Sequence, residues 1–306
     1  MKLCVIGSYA KALVMTTHRI PLAGETLIGE NFRGTFGGKG SDMAVQAARL
    51  NAQVEFMGVV GNDLYGDEFK KLLNTEKISQ KGLRTSTDYP TGVGFIVKDD
   101  AGRNIITVDM GANKSFSKSD IDANIDLIKS SDVVLAQLEI PVETALYALK
   151  LAKKYGKITI LNPAPATELI NNDLSFVDYL TPNETEGQVV LGVVPNTNRK
   201  PVDIANDLLE GTGCKNIVMT LGGNGVVSKN KAGEIFVPAK KVYVVDSNGA
   251  GDCFNASLAV SLGNGLPLEN AIIFSNACAG LCCTKWETVP SYHYLEDVEN
   301  FMREVK

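Results

Sequence analysis

Histidine and tryptophan are scarce: 306 residues include two histidines, His18 and His293, and one tryptophan, Trp286. A histidine-based triad or a histidine-rich metal centre has little to draw on. The six cysteines, Cys4, Cys214, Cys253, Cys278, Cys282 and Cys283, form no C-x-x-C pair and lie far from both histidines in sequence, so zinc-ligand spacing is missing. They read as buried, reduced thiols acting as small hydrophobes. No apolar run approaches the roughly 20 residues of a membrane span, and the opening "MKLCVIGSYA" is too short for a signal peptide. Basic runs are absent too, and the net charge is −5. That balance argues against nucleic acid or an anionic membrane as the main partner. The expectation is a soluble, cytoplasmic protein that meets a small molecule.

What is present is apolar and periodic. Hydrophobic residues make up 44 % of the chain, ample for a large core. Short β-rich runs ("KLCVIG", "VEFMGVVG", "DVVLAQL", "ITILN", "VDYLT", "NIVMTLG") are separated by helical patterns such as "GSDMAVQAARLNA" and "PVETALYALKLAKKYG". Near-continuous apolar strands between helices specify a parallel sheet covered on both faces. The expected fold is a doubly wound, Rossmann-like α/β domain, with ligands beyond the carboxyl ends of the strands. Residues 12–36 and 91–110 break the rhythm with strands and turns lacking helices, and "KDDAGRN" reads as a hairpin turn. These segments suit a small β-sheet lid. One domain spanning 1–306 with that lid is the simplest division.

Several loops carry chemistry. "GTFGGKGS" (34–41) is not a P-loop, because Gly40 follows the lysine; what remains is a glycine-rich helix start, either a tight turn or a binding loop. "NPAPA" (162–166), "TPNETEG" (181–187) and "TLGGNG" (220–225) each follow a strand and together line one edge. Asn183 and Glu186 suit Mg²⁺ held through water and phosphate, and equally suit a helix cap. The stretch "SNGAGDCFNASLAV" places Gly249, Ala250 and Gly251 before Asp252 at the start of an apolar helix. Uncovered N–H groups at a helix N-terminus form an anion hole. Asp252 beside it can take a proton from a hydroxyl nucleophile, or serve as an acidic cap.

Both "DSNGAGDCFNA" and "FGGKGSDMAVQAARL" resemble the two signatures of the PfkB carbohydrate kinases, in the ribokinase branch. The likeness continues through "GETLIGE", "MGVVGNDLYGDEF", "TGVGFIV", "GAN", "NPAPA", "TPNETE" and "TLGGNGV" in family order. It implies a ribokinase-like fold, ATP and Mg²⁺ as cofactors, a sugar or sugar-like acceptor, and a homodimer joined through the lid as a β-clasp. It also implies roles by position. Asp252 would be the catalytic base, with Gly249, Ala250 and Gly251 as the anion hole. Gly38, Lys39, Asp42 and Glu139 would face the sugar. Asn183 and Glu186 would serve the phosphates and Mg²⁺; Thr220, Gly222 and Gly225 would lie along the nucleotide, with Asn276 near the adenine. Asp246, Asn248 and Ser291 would match part of a monovalent-cation loop, for K⁺. The same fold also hosts nucleoside kinases, and a catalytically silent sugar-binding regulator is the rival from another class.

The chain departs from the pattern in three places. Ala10 and Ala12 stand where ribokinases carry an Asn and an Asp that grip sugar hydroxyls, Asp42 replaces an Asn, and Trp286 and Glu287 occupy what is usually a small glycine-containing turn.

Overall fold

The computed structural model describes residues 1–304 except 102 and 197. Among the described residues, thirteen strands form two sheets. The strands are β1 (Lys2–Ile6), β2 (Ala10–Thr17), β3 (Glu30–Gly37), β4 (Gln53–Gly61), β5 (Ser79–Ser86), β6 (Gly92–Asp99), β7 (Asn104–Asp109), β8 (Val133–Ala136), β9 (Ile158–Leu161), β10 (Tyr179–Leu180), β11 (Asn216–Thr220), β12 (Val226–Asn230) and β13 (Gly233–Val237). The α-helices are α1 (Lys39–Arg49), α2 (Leu64–Thr75), α3 (Lys118–Ala123), α4 (Ile125–Ser130), α5 (Val142–Lys154), α6 (Glu184–Val190), α7 (Pro201–Thr212), α8 (Ala250–Gly263), α9 (Leu268–Cys282) and α10 (Leu295–Glu304).

The large sheet runs β13-β12-β11-β10-β9-β8-β1-β4-β5. Its pairings are parallel from β5 across to β11, and β12 and β13 close one edge as an antiparallel hairpin. β1 shows why the strands are apolar throughout. Leu3 and Val5 enter the core on one face, and Cys4 and Ile6 enter it on the other. The first core is filled by α1, α2, α8, α9 and α10. The second is filled largely by α3 to α7. α8 is buried around nearly its whole circumference, as a helix apolar on all sides must be.

The separate small sheet has the order β3-β2-β6-β7. β2 and β6 pair in parallel, and hairpin partners flank them. It is the expected lid, although β2 begins at Ala10, two residues before the expected boundary. Of the expected turn "KDDAGRN", Gly102 lies outside the described residues. All six cysteines are free; five are buried and Cys283 is half-buried.

Candidate active site

Two glycines bring helix N-termini to the lid. Gly38 precedes α1 at φ 93°, and a Cβ there would lie 2.8 Å from both the Ala10 amide and Tyr9 Cα. Only glycine permits this approach of α1 to the start of β2. Gly249 caps α8 in the left-handed region, at φ 79°. A Cβ there would meet the Tyr292 hydroxyl at 2.7 Å, and that hydroxyl donates to the Gly249 carbonyl at 3.4 Å.

These helix ends border two cavities. The first, of about 210 Å³, lies under the lid and is lined by Gly38, Lys39, Asp42, Glu139, Asn248, Gly249 and Asp252. Ala10 and Ala12, 7 % and 9 % exposed, form part of its wall with Ile96, Ile106 and Val108. The second, of about 440 Å³, is lined by Asn183, Thr220, Gly222, Gly225, Ala250, Gly251 and Asn276. The turn 249–252 is therefore the wall between them, with Gly249 and Asp252 on one side and Ala250 and Gly251 on the other. Asn276 donates through Nδ2 to the Pro238 carbonyl at 2.8 Å, which holds it at the edge of the larger cavity.

Asp252 is the electrostatic centre. It is buried, its Oδ1 has no hydrogen-bond partner among the described residues, and the Lys39 ammonium stands 3.8 Å away. Burial pushes its carboxyl up to about 6; Lys39 pulls it down, and the charges of Glu139 and Glu186 push it up. Lys39 is held more firmly protonated, chiefly by Asp252. Asp42 is raised well above the usual carboxylate range, first by burial and then by Asp252, while its Oδ1 accepts from the Thr288 hydroxyl at 3.2 Å.

Glu139 owes its position to residues that sequence reasoning missed. Its Oε2 accepts from the Ser8 hydroxyl and from the Lys39 N–H at 2.8 Å. Gln137 donates to Ser8 and accepts from the Glu139 N–H. The only sequence hint was Ser8 lying just past the carboxyl end of β1, where crevice residues gather.

Asn183 and Glu186 form a complete capping box, Asn183 accepting from the Glu186 N–H at 2.8 Å and Glu186 from the Asn183 N–H at 2.9 Å. Glu186 is not among the residues lining the larger cavity, whereas Asn183, Glu184 and Thr185 are; its negative charge favours the protonated forms of both Asp252 and Lys39. Burial raises its own carboxyl. No group of three or more His, Cys, Asp or Glu side chains able to cage a metal occurs among the described residues. The Glu186 carboxylate and the Asn183 amide oxygen are hard oxygen donors of the kind that would hold Mg²⁺ by way of water and phosphate oxygens. Asn255 joins this loop to the helix mouth, accepting from the Thr181 hydroxyl and donating to the Gly251 carbonyl.

Of the three residues expected at a cation loop, Asp246 and Asn248 are together: the Asn248 N–H donates to Asp246 Oδ1 at 3.0 Å. The Ser291 hydroxyl is taken up elsewhere, donating to the Thr288 carbonyl at 2.7 Å and lying 3.1 Å from Cys282 Sγ. At Asp246 Oδ2 stands the ammonium of Lys98, 3.0 Å away.

A large mostly parallel sheet, a small second sheet over its strand ends, and two cavities meeting at one helix mouth define the ribokinase-like class of α/β proteins. The chain belongs to the pfkB family of carbohydrate kinases, whose family model matches residues 1–293. It is 34 % identical over 283 residues to the ribokinase of Haemophilus influenzae, covering 92 % of each chain. It is 32 % identical over 305 residues to the deoxyribokinase of Salmonella typhi, covering 99 % of each. The structure of Arabidopsis thaliana ribokinase complexed with ribose and ATP superposes with a TM-score of 0.91 at 28 % identity, over 99 % of this chain and 98 % of that one.

Proposed function

We propose that this protein transfers the terminal phosphoryl group of ATP to an alcohol of a sugar or sugar-like small molecule. The observation that carries this reading is the shared wall: residues 249–252 touch both cavities at once. The acceptor would occupy the smaller cavity and the nucleotide the larger, with Thr220, Gly222, Gly225 and Asn276 along it. The unpartnered Asp252 Oδ1 takes the hydroxyl proton as the oxygen attacks phosphorus, so that alcohol and ATP give phosphate ester, ADP and one proton. The N–H groups of Gly249 and Gly251 would meet the charge on the transferring group and Lys39 would add its ammonium, while the Ala250 N–H, the third expected donor, donates to the Ser247 carbonyl at 3.3 Å. Gly38, Asp42 and Glu139 orient the acceptor. Mg²⁺, held through Glu186 and Asn183 by way of water and phosphate, would offset charge on the phosphates.

The acceptor pocket supports a sugar with fewer hydroxyls than ribose at one edge. Ala10 and Ala12 offer methyl groups there. Each lost hydrogen bond costs about 0.5–1.5 kcal/mol, and up to about 3 kcal/mol where the lost partner was charged. Ribose is accordingly expected to show a kcat/KM at least about tenfold below the best acceptor, by the tenfold-per-1.4-kcal/mol relation. The check is a steady-state panel of ribose, 2-deoxyribose, other pentoses, ketohexoses and nucleosides under saturating Mg-ATP. If ribose ranks first, other residues grip the hydroxyls and the role given to the two alanines is wrong. If a nucleoside ranks first, the enzyme is a nucleoside kinase of the same fold.

The lid supports a homodimer. Phe32, Phe95 and Ile105 leave between 48 % and 63 % of their surface exposed on this one small sheet, away from the cavity that Ile106 and Val108 line, and a patch of that kind favours a partner. A second copy joined lid to lid, in the cytoplasm, completes the reading. No helix among the described residues is long and apolar enough to cross a membrane.

A further inference from the structure

Lys98 lies in the lid strand β6 and is only 8 % exposed. Lysine is almost never buried so fully unless paired. Its partner is Asp246, 148 residues away, at 3.0 Å, and its ammonium also stands 5.2 Å from the centre of the Trp286 ring. Carboxylate and aromatic face together make a seat for a cation.

Asp246 organises the loop that leads into the α8 mouth. Its Oδ1 accepts from the Asn248 N–H, one residue before Gly249. Its Oδ2 accepts from the Glu287 N–H at 3.2 Å as well as from Lys98. One buried carboxylate thus ties the anion-hole turn to the 284–288 turn. Such a carboxylate needs a positive charge beside it. The turn's unusual residues both face the lid: Trp286 takes Lys98, and the Glu287 carboxylate pairs with Arg33 of β3.

We propose that Lys98 is a built-in cation for the anion hole. Its ammonium neutralises Asp246 where the family resemblance implies a free monovalent ion, so the protein needs no K⁺ to order residues 246–249. A second cation beside the same carboxylate oxygen would meet the ammonium's charge at close range. Lys98 acts through Asp246 and is therefore a positioning residue. Because it belongs to the lid, the anion hole is completed only while β6 lies over it.

This inference rests on the kinase reading for its activity arm, and a binding arm is independent of that reading. Turnover of the native enzyme with Mg-ATP and its best acceptor is measured in K⁺, Na⁺ and tetramethylammonium salts at constant ionic strength. Melting temperatures are recorded in the same salts. The native enzyme should vary less than twofold in rate, and its melting temperature should not depend on K⁺. Lys98→Ala, which leaves room for an ion, should lose at least tenfold in tetramethylammonium. It should regain activity, and gain melting temperature, with a saturable dependence on K⁺ or NH₄⁺. Lys98→Met, which fills the space without charge, should lose activity without rescue. Severalfold activation of the native enzyme by K⁺ would overturn the proposal. So would a folded Lys98→Ala that keeps its rate in tetramethylammonium, or one that K⁺ neither rescues nor stabilises. If Lys98→Ala fails to fold, the native cation profile and Lys98→Met decide. If no acceptor is phosphorylated at all, the kinase reading fails and the melting arm alone judges the cation seat.

Discussion

Asp252→Asn is expected to lower turnover by on the order of a hundredfold or more while leaving ATP affinity and the fold intact. General-base catalysis contributes ~10²–10⁴ in rate, and the amide keeps the shape of the carboxylate while losing its basicity. The melting temperature should change little, because the variant removes a carboxylate whose ionised form burial disfavours but also takes from Lys39 its main counter-charge. The native enzyme carries a linked signature. Only ionised Asp252 accepts a proton, so the rate should climb as pH rises through about 6 and level off above. An acid limb near the ordinary carboxylate range, or near-normal turnover in the asparagine variant, would remove Asp252 from the base role. Titration of kcat/KM against pH, with isothermal titration of ATP into both proteins, reads all of this.

Gly251→Leu is expected to separate activity from stability. Gly251 sits in the first turn of α8 and lines the larger cavity, and a Cβ placed there meets nothing within 4 Å. Leucine is the better helix former, by somewhat under 1 kcal/mol. The melting temperature should therefore change little. The side chain would instead occupy the space in front of the anion hole. Losing one well-placed donor to a transition-state oxyanion costs roughly 10²–10³ in rate, and a blocked hole forfeits at least that. Turnover should fall at least a hundredfold with unchanged melting. A variant that melts normally and transfers phosphate at the native rate would show that the charge is stabilised elsewhere.

What was legible in the sequence follows from the range of each signal. β1, α1, α5, β9 and β11 were readable because their apolar periods are local. The lid hairpin was readable through its alternation, but not the extra residues at the start of β2, where buried Tyr9 and Ala10 follow the apolar run of β1 without alternating. β5 was not readable, since "SQKGLRTS" is a polar edge strand held by pairing with β4. "VDYLT" shortened to the two residues Tyr179–Leu180, because Thr181 and Asn183 are committed to the helix mouth and the cap of α6. The Asp252 turn stood out because three small residues before an acid admit few readings. For Asn183 and Glu186 the structure forms the cap, and it leaves Glu186 electrostatically coupled to Asp252. Lys98–Asp246 and Ser8–Glu139 span 148 and 131 residues. No local pattern announces such pairs; Lys98 in isolation reads as a solvated strand lysine.

The central claim is that a sugar hydroxyl in the first cavity receives phosphate across the wall formed by residues 249–252. The most direct measurement follows the label from γ-³²P-ATP during incubation of the purified protein with Mg²⁺ and individual sugars, polyols and nucleosides. At least one of these acceptors should become a labelled phosphate monoester, with one ADP formed per ester and no transfer by Asp252→Asn. Binding of sugars without any labelled product, whatever the acceptor, would contradict the account and leave a sugar-binding regulator on a kinase fold.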